Sequence, residues 1–231
     1  MALLGLVGWV VLAWLGLVAS PEDVTQGDSV RIMYVHVPSA IVAFGLFALT
    51  AVGSVAYLWK RSAWWDRLAA ASAEVGVLFC GLTLVTGMLW GKPTWGVWWT
   101  WDARLTTTAL LFLLYLGYLA VRSMPGTVEK RSRRSAVVGV VAFADVPVVH
   151  FSVDWWRSLH QPATITRLDP TIDGLMLFTL VTGIITFVVT AAWLVTHRFR
   201  VEHLALEAEA AEISRELESR KRAVLGEVGG Q

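Results

Sequence analysis

Val37-Pro-Ser-Ala-Ile-Val-Ala-Phe-Gly-Leu-Phe-Ala-Leu-Thr-Ala-Val-Gly-Ser-Val-Ala-Tyr-Leu-Trp59 contains no Asp, Glu, Lys or Arg, and Lys60-Arg61 closes it. A hydrocarbon core of about 30 Å is crossed by roughly 20 apolar residues of helix, so this stretch reads as a transmembrane span. Five further stretches satisfy the same rule, near residues 3–19, 68–89, 105–121, 136–153 and 174–196, each bounded by charged or Pro/Gly-containing segments such as Ser20-Pro21-Glu22-Asp23 and Met124-Pro125-Gly126. The whole composition agrees: 56% of the 231 residues are hydrophobic, 16% are charged and the mean hydropathy is +0.60. That is too apolar for a water-soluble domain of this length. The expected fold is an all-α integral membrane protein of six transmembrane helices. The first stretch lacks a basic leader, carries Trp9 and Trp14 within the apolar run and is followed by Pro21, so it counts as a span rather than a cleaved signal peptide. Residues 1–200 then form the membrane domain, and 201–231, rich in Glu, Ala, Leu and Arg with Glu216/Arg220 and Glu218/Arg222 at i,i+4 spacing, an exposed helical tail.

Net charge is only +1, which gives no support to a nucleic-acid binder, but the cations are unevenly placed. With a cytoplasmic N-terminus, the inner segments hold Lys60, Arg61, Arg67, Arg122, Lys130, Arg131, Arg133, Arg134, Arg198, Arg200, Arg215, Arg220, Lys221 and Arg222. The outer segments hold Arg31, Lys92, Arg104, Arg157 and Arg167, together with the acids Glu22, Asp23, Asp28, Asp102, Asp154, Asp169 and Asp173. Positive charge collects on the cytoplasmic side of membrane proteins, which predicts both termini inside. The single cysteine, Cys80, excludes an intrachain disulfide, a Cys-x-x-Cys redox pair, a thiolate zinc site and a Cys-x-x-Cys-His haem attachment. The pentapeptide Thr-Leu-Val-Thr-Gly occurs at 83–87 and again at 179–183, a pattern that small-residue helix packing accounts for without duplication.

Seven of the thirteen tryptophans fall in two outer segments, 90–104 and 150–162. An interfacial aromatic belt needs one or two per helix end, whereas Trp90, Trp95, Trp98, Trp99 and Trp101 crowd into one loop with Gly91, Pro93 and Gly96. A short interfacial helix over 94–102, begun by Pro93, would set Trp95, Trp98/Trp99 and Asp102 on one face. Such an aromatic shelf suits a large planar apolar ligand. Two histidines flank it, His36 at the outer start of the second span and His160 after the fifth, with His150 as a third candidate. Neutral imidazole is a favoured axial ligand of haem iron, and Arg31, Lys92, Arg104 and Arg157 are cations of the kind that meet carboxylates such as haem propionates. Within the spans, Glu74 and Asp145 are costly unless paired or protonated, and Pro147 beside Asp145 marks a place where a broken helix could satisfy it.

The run Trp90-Gly-Lys-Pro-Thr-Trp-Gly-Val-Trp-Trp-Thr-Trp-Asp-Ala-Arg-Leu-Thr106 resembles the tryptophan-rich WWD signature of haem-handling proteins of cytochrome c maturation. With Arg31-Ile-Met-Tyr-Val-His36-Val-Pro38 before it and Val153-Asp-Trp-Trp-Arg-Ser-Leu-His160-Gln161 after it, residues 30–196 are similar to the C subunit family of the system I haem exporter. The resemblance implies a non-enzymatic subunit that holds haem b at the outer face of the bacterial inner membrane. There it would present the haem to a membrane-anchored haem chaperone for covalent attachment, beside an ATP-binding subunit, a permease-like B subunit and a small single-span D subunit. It implies His36 and His160 as axial ligands of the haem iron, and Trp90, Trp95, Trp98, Trp99, Trp101, Asp102 and Arg104 as haem contacts. Asp145 and Thr108 depart from the usual Asn and Glu of that pattern. Rival readings are an electron-transfer cytochrome, which would need histidine pairs inside the bundle, a substrate permease, which would show paired broken helices, and the larger cytochrome c synthase, for which six spans are too few.

Overall fold

A computed structural model describes residues 1–160 and 172–228. Among these, six helical segments are long and apolar enough to cross a membrane. The first is α1 (Ala2–Trp14), which continues as a π-helical turn to Ala19. A 3-10 turn at Asp28–Ile32 leads into α2 (Met33–Lys60), followed by α3 (Ala63–Trp95) and α4 (Ala103–Ser123). The fifth span is made of α5 (Val128–Phe143) and α6 (Asp145–Trp155), and the last belongs to α7 (Gly174–Val228). In a membrane each backbone polar group must be satisfied within its own segment, which is why long uninterrupted helices dominate.

The sequence explains where the helices stop. Arg61 adopts a left-handed conformation (φ 53°) after Lys60 and donates its N–H to the Tyr57 carbonyl, ending α2. Asp102 caps α4 by accepting from the N–H groups of Arg104 and Leu105, and Thr127 caps α5 through Lys130. The break between α5 and α6 falls at Ala144, three residues before the exposed Pro147, whose missing N–H lies inside the first turn of α6. Asp145 is buried there with one carboxylate oxygen free of any hydrogen-bond partner, so the break does not satisfy it fully.

Helix α2 is central and packs on α3, α5 and α7, while α1 covers α7 and α4 covers α5 and α6. The core joins Phe47, stacked on Tyr115 at 3.7 Å, to Phe79, Leu111, Tyr118, Leu180 and Phe187. The two copies of Thr-Leu-Val-Thr-Gly end in glycines that grip one turn of α2 from opposite sides. A β-carbon on Gly87 would lie 3.0 Å from the His36 ring, and one on Gly183 would lie 3.0 Å from the Tyr34 carbonyl and 3.2 Å from Pro38. Pro38 cannot donate to that carbonyl, and Gly183 lets the backbone of α7 close over it.

On the rim away from His36, charges that would be costly in lipid are paired. Buried Arg122 on α4 forks onto both Asp66 oxygens at 2.8 and 3.0 Å and also binds Glu202 of α7. Glu74, an isolated acid in the third span, is paired with Arg198. Helix α7 runs through residue 200 without a break, and Glu202 and His203 fasten it to α4 and α3, so the boundary drawn at 200 from composition coincides with no helix end. The expected Glu216/Arg220 and Glu218/Arg222 pairs, the outer Arg167 and Asp169, and Gly229-Gly230 involve side chains or residues outside the described set.

The paired-histidine rim

His36 lies in the first turn of α2, and two threonines of α3 fix its ring. Its Nδ1 is 3.1 Å from the Thr83 carbonyl oxygen and 3.1 Å from Thr86 Oγ1. The Thr86 hydroxyl donates to the Leu82 carbonyl at 2.7 Å, so its proton is committed elsewhere. Nδ1 therefore carries the hydrogen and donates it, and Nε2 keeps its lone pair. That is the tautomer a metal ligand requires, with the outer partner supplied by backbone. Trp90 meets the same imidazole edge-on at a centroid distance of 5.7 Å, and its Nε1–H is held at 2.8 Å by Gln26 Oε1 from the loop after α1.

His160 is positioned from a different direction. Its Nδ1 lies 3.5 Å from an oxygen of buried Asp102, beyond hydrogen-bond reach but aimed at the carboxylate, and among the described residues no other hydrogen-bond partner approaches that nitrogen. Asp102 also accepts from the Ser158 hydroxyl and the Leu159 N–H, so one carboxylate both caps α4 and ties down the segment bearing His160. Burial pushes the Asp102 carboxyl up, but the Ser158 hydroxyl, the Leu105 and Leu159 N–H groups and His160 together leave it below the usual range. His160 is shifted down, first by burial and then by the Arg104 charge, against the opposing pull of Asp102, so its neutral form is favoured. Trp95 packs edge-on against it at 4.8 Å. The last turns of α3 thus serve both rings, Trp90 for His36 and Trp95 for His160.

The tryptophan segment departs from the expected interfacial helix over 94–102. Helix α3 continues through Pro93 to Trp95, Gly96 takes a left-handed conformation (φ 80°), and residues 97–102 are irregular. Pro93 costs the helix only one backbone donor near its end, while Gly96 supplies the conformation that stops it, its N–H bonding the Lys92 carbonyl at 3.0 Å. Trp95, Trp98, Trp99 and Asp102 therefore do not share a helical face. Trp98 and Trp101 are exposed, Trp101 stands edge-on to Trp99 at 5.8 Å, and Asp102 is turned inward.

Of the outer cations, Arg104 donates to the His150 carbonyl, Arg31 to the Gly16 carbonyl and Asp28, and Lys92 to the Gly96 carbonyl. The His150 ring is exposed on α6, edge-on to Phe151. Sequence reasoning singled out both rim histidines and the Trp/Asp segment but not Gln26, Thr83, Thr86, Gly87 or Ser158. The repeated pentapeptide was the available sign for Thr83, Thr86 and Gly87; a lone Gln26 or Ser158 carries none.

Fold and rim together define a polytopic helical membrane protein with two imidazoles set among tryptophans at one end of the bundle. Comparison with known proteins narrows the class. A family model for heme exporter protein C matches residues 1–214. The chain is 41% identical over 199 residues to the heme exporter protein C of Haemophilus influenzae, covering 86% of this chain and 80% of that one. It is 37% identical over 201 residues to the Escherichia coli K12 protein of the same name, covering 87% and 80%. The chain belongs to the heme exporter protein C family.

Proposed function

We propose that this protein handles haem for cytochrome c biogenesis, holding haem b between His36 and His160 and presenting it to a membrane-anchored haem chaperone. The observation that supports this reading best is the tautomer of His36: its Nδ1 hydrogen is committed to the Thr83 carbonyl, which leaves Nε2 for iron. Haem would supply an iron with two axial positions and a macrocycle whose vinyl groups accept the covalent bond. The chain's own contribution is positional. Thr83, Thr86 and Asp102 hold the imidazoles, Trp90 and Trp95 wall them, and the exposed Trp98 and Trp101 with the half-buried Trp99 offer apolar area, since indole has no acid–base group useful near neutral pH. Arg104 is anchored to the His150 carbonyl beside the rim and is our candidate for a propionate contact. Proximity of a held haem to a chaperone histidine is then the main kinetic contribution.

In this reading the histidine rim faces outward from a bacterial inner membrane and both termini are cytoplasmic, a placement that the cation distribution supports. Release of haem falls to an ATP-binding subunit working with a permease-like B subunit and a small single-span D subunit, while this chain itself catalyses no reaction.

The test is an optical spectrum of the purified protein. Wild type gives a low-spin haem spectrum, and His36→Ala and His160→Ala each lose haem or shift the spectrum. A double variant that retains normal low-spin haem would remove both assignments and promote His150.

A further inference from the structure

The rim opposite the histidines carries an apolar groove that the haem reading does not use. It encloses about 530 Å³ between α2, α3 and α5, walled by Ala51, Val52, Val55, Ala56 and Trp59 of α2, Trp65 of α3, and Val140 and Phe143 of α5. From Lys60 to Ala51 the groove follows α2 for nine residues, roughly 13 Å at the rise of an α-helix. It therefore runs along the helix axis into the hydrocarbon, in the direction of an acyl chain. Val52 and Val55 are exposed along it, and Val140 faces it from α5.

Lys60 stands at its mouth. The ammonium sits over the indoles of Trp59 and Trp65, at 5.9 and 5.6 Å from their centroids, and among the described residues no carboxylate lies within ion-pair distance of it. Its neighbouring acids are engaged elsewhere: Asp66 with Arg122, and Glu129 with Arg61 at 4.0 Å. A cation held at interfacial depth by two tryptophans, without an acidic partner among the described residues and at the mouth of an apolar groove, has the charge and shape complement of an anionic lipid.

We propose that this groove binds one anionic phospholipid of the leaflet opposite the histidine rim, with its phosphate on Lys60 and one acyl chain between α2 and α5. The site is independent of haem.

The experiment is native mass spectrometry of the full-length protein in detergent, titrated with phosphatidylglycerol or phosphatidylcholine of matched acyl chains. The wild type retains one phosphatidylglycerol about fivefold more strongly than phosphatidylcholine, the ratio that roughly 1 kcal/mol for one cation beside an anionic lipid gives. Lys60→Gln, an exposed change that leaves the fold intact, removes this preference, and Lys60→Arg keeps it. Val55→Trp, which fills the groove from an exposed position, loses the retained lipid of both classes. A preference that survives Lys60→Gln, or retention unchanged in Val55→Trp, overturns the proposal. So does a Val52→Cys probe, placed in a Cys80→Ala background, that crosslinks in native membranes to the helix of another protein.

Discussion

Each rim imidazole has its own kind of outer partner, and the difference has consequences. His36 faces a neutral backbone carbonyl, whereas His160 faces a carboxylate that is itself tied to Ser158 and Leu159. Outer partners of this kind commonly change metal affinity by 10- to 100-fold when lost. Asp102→Asn keeps the side-chain shape but gives up the charge facing His160, and we expect haem retention to fall roughly tenfold with the protein still inserted, measured as haem per protein after purification. Gly87 makes a complementary case. Alanine there would set its methyl carbon against the His36 ring at 3.0 Å, closer than such contacts are normally tolerated. Gly87→Ala should displace the imidazole from Thr83 and lower haem loading at least as much as Asp102→Asn, while Gly45→Ala, where a β-carbon meets nothing within 4 Å, serves as the control and should load normally. Equal loading in Gly87→Ala and wild type would show that the ring does not need this place. These two residues also mark the limit of what the sequence discloses. A histidine beside a Trp run announces chemistry by its type, but a glycine that makes room for it does so only through a helix-to-helix distance of which one sequence carries no record.

At the scale of helices, the spans were legible because the bilayer imposes a length and an apolar composition that any 20-residue window reports. Two junctions were not. Pro93 reads as a helix start, since proline is favoured in first turns, yet it lies in the last turns of α3 because Gly96, three residues on, is the true stop. Gly96→Ala would force a β-carbon onto a backbone at φ 80° and should cost on the order of 1 kcal/mol, with disorder of residues 97–101 visible as faster amide exchange. The second junction is the cluster on the opposite rim. Arg122, Asp66 and Glu202 come from α4, α3 and α7, and nothing in their separate sequence contexts pairs them. Removing one member of a buried ion cluster leaves an uncompensated charge and costs about 3–5 kcal/mol, whereas replacing the set with apolar residues of similar volume can be neutral. Arg122→Met should thus lower the thermal midpoint sharply, and adding Asp66→Leu and Glu202→Leu should restore most of it. A triple variant no better than Arg122→Met would mean that the cluster contributes more than charge neutrality.

For the molecule as a whole, that cluster decides how much of the long last helix belongs to the membrane domain. The composition change near 201 divides a membrane part from a tail, but α7 spans 55 residues without interruption, and its contacts with the bundle extend past the apolar segment. Arg198 pairs with Glu74, Glu202 with Arg122, and His203 receives a hydrogen bond from Arg67 at 3.2 Å. Beyond these, Ala205 and Leu206 still line a shallow pocket with Arg131 of α5, whereas Leu204, Ile213 and Leu217 are exposed. We propose that the physical boundary lies after the last charge-pairing turn, a few residues beyond the change of composition at 200. Two truncations separate the possibilities. A chain ending after 207 keeps Glu202 and His203 and should match the full protein in thermal midpoint and haem loading. A chain ending after 200 leaves Arg122 with Asp66 alone and removes the acceptor for Arg67, and its thermal midpoint should fall, while haem loading at the far rim, held by α2, α3 and α4, should change little at temperatures below the transition. Equal stability of the two truncations would return the boundary to 200, and loss of haem loading in either one, with the bundle still folded, would mean that the tail communicates with the histidine rim across the membrane.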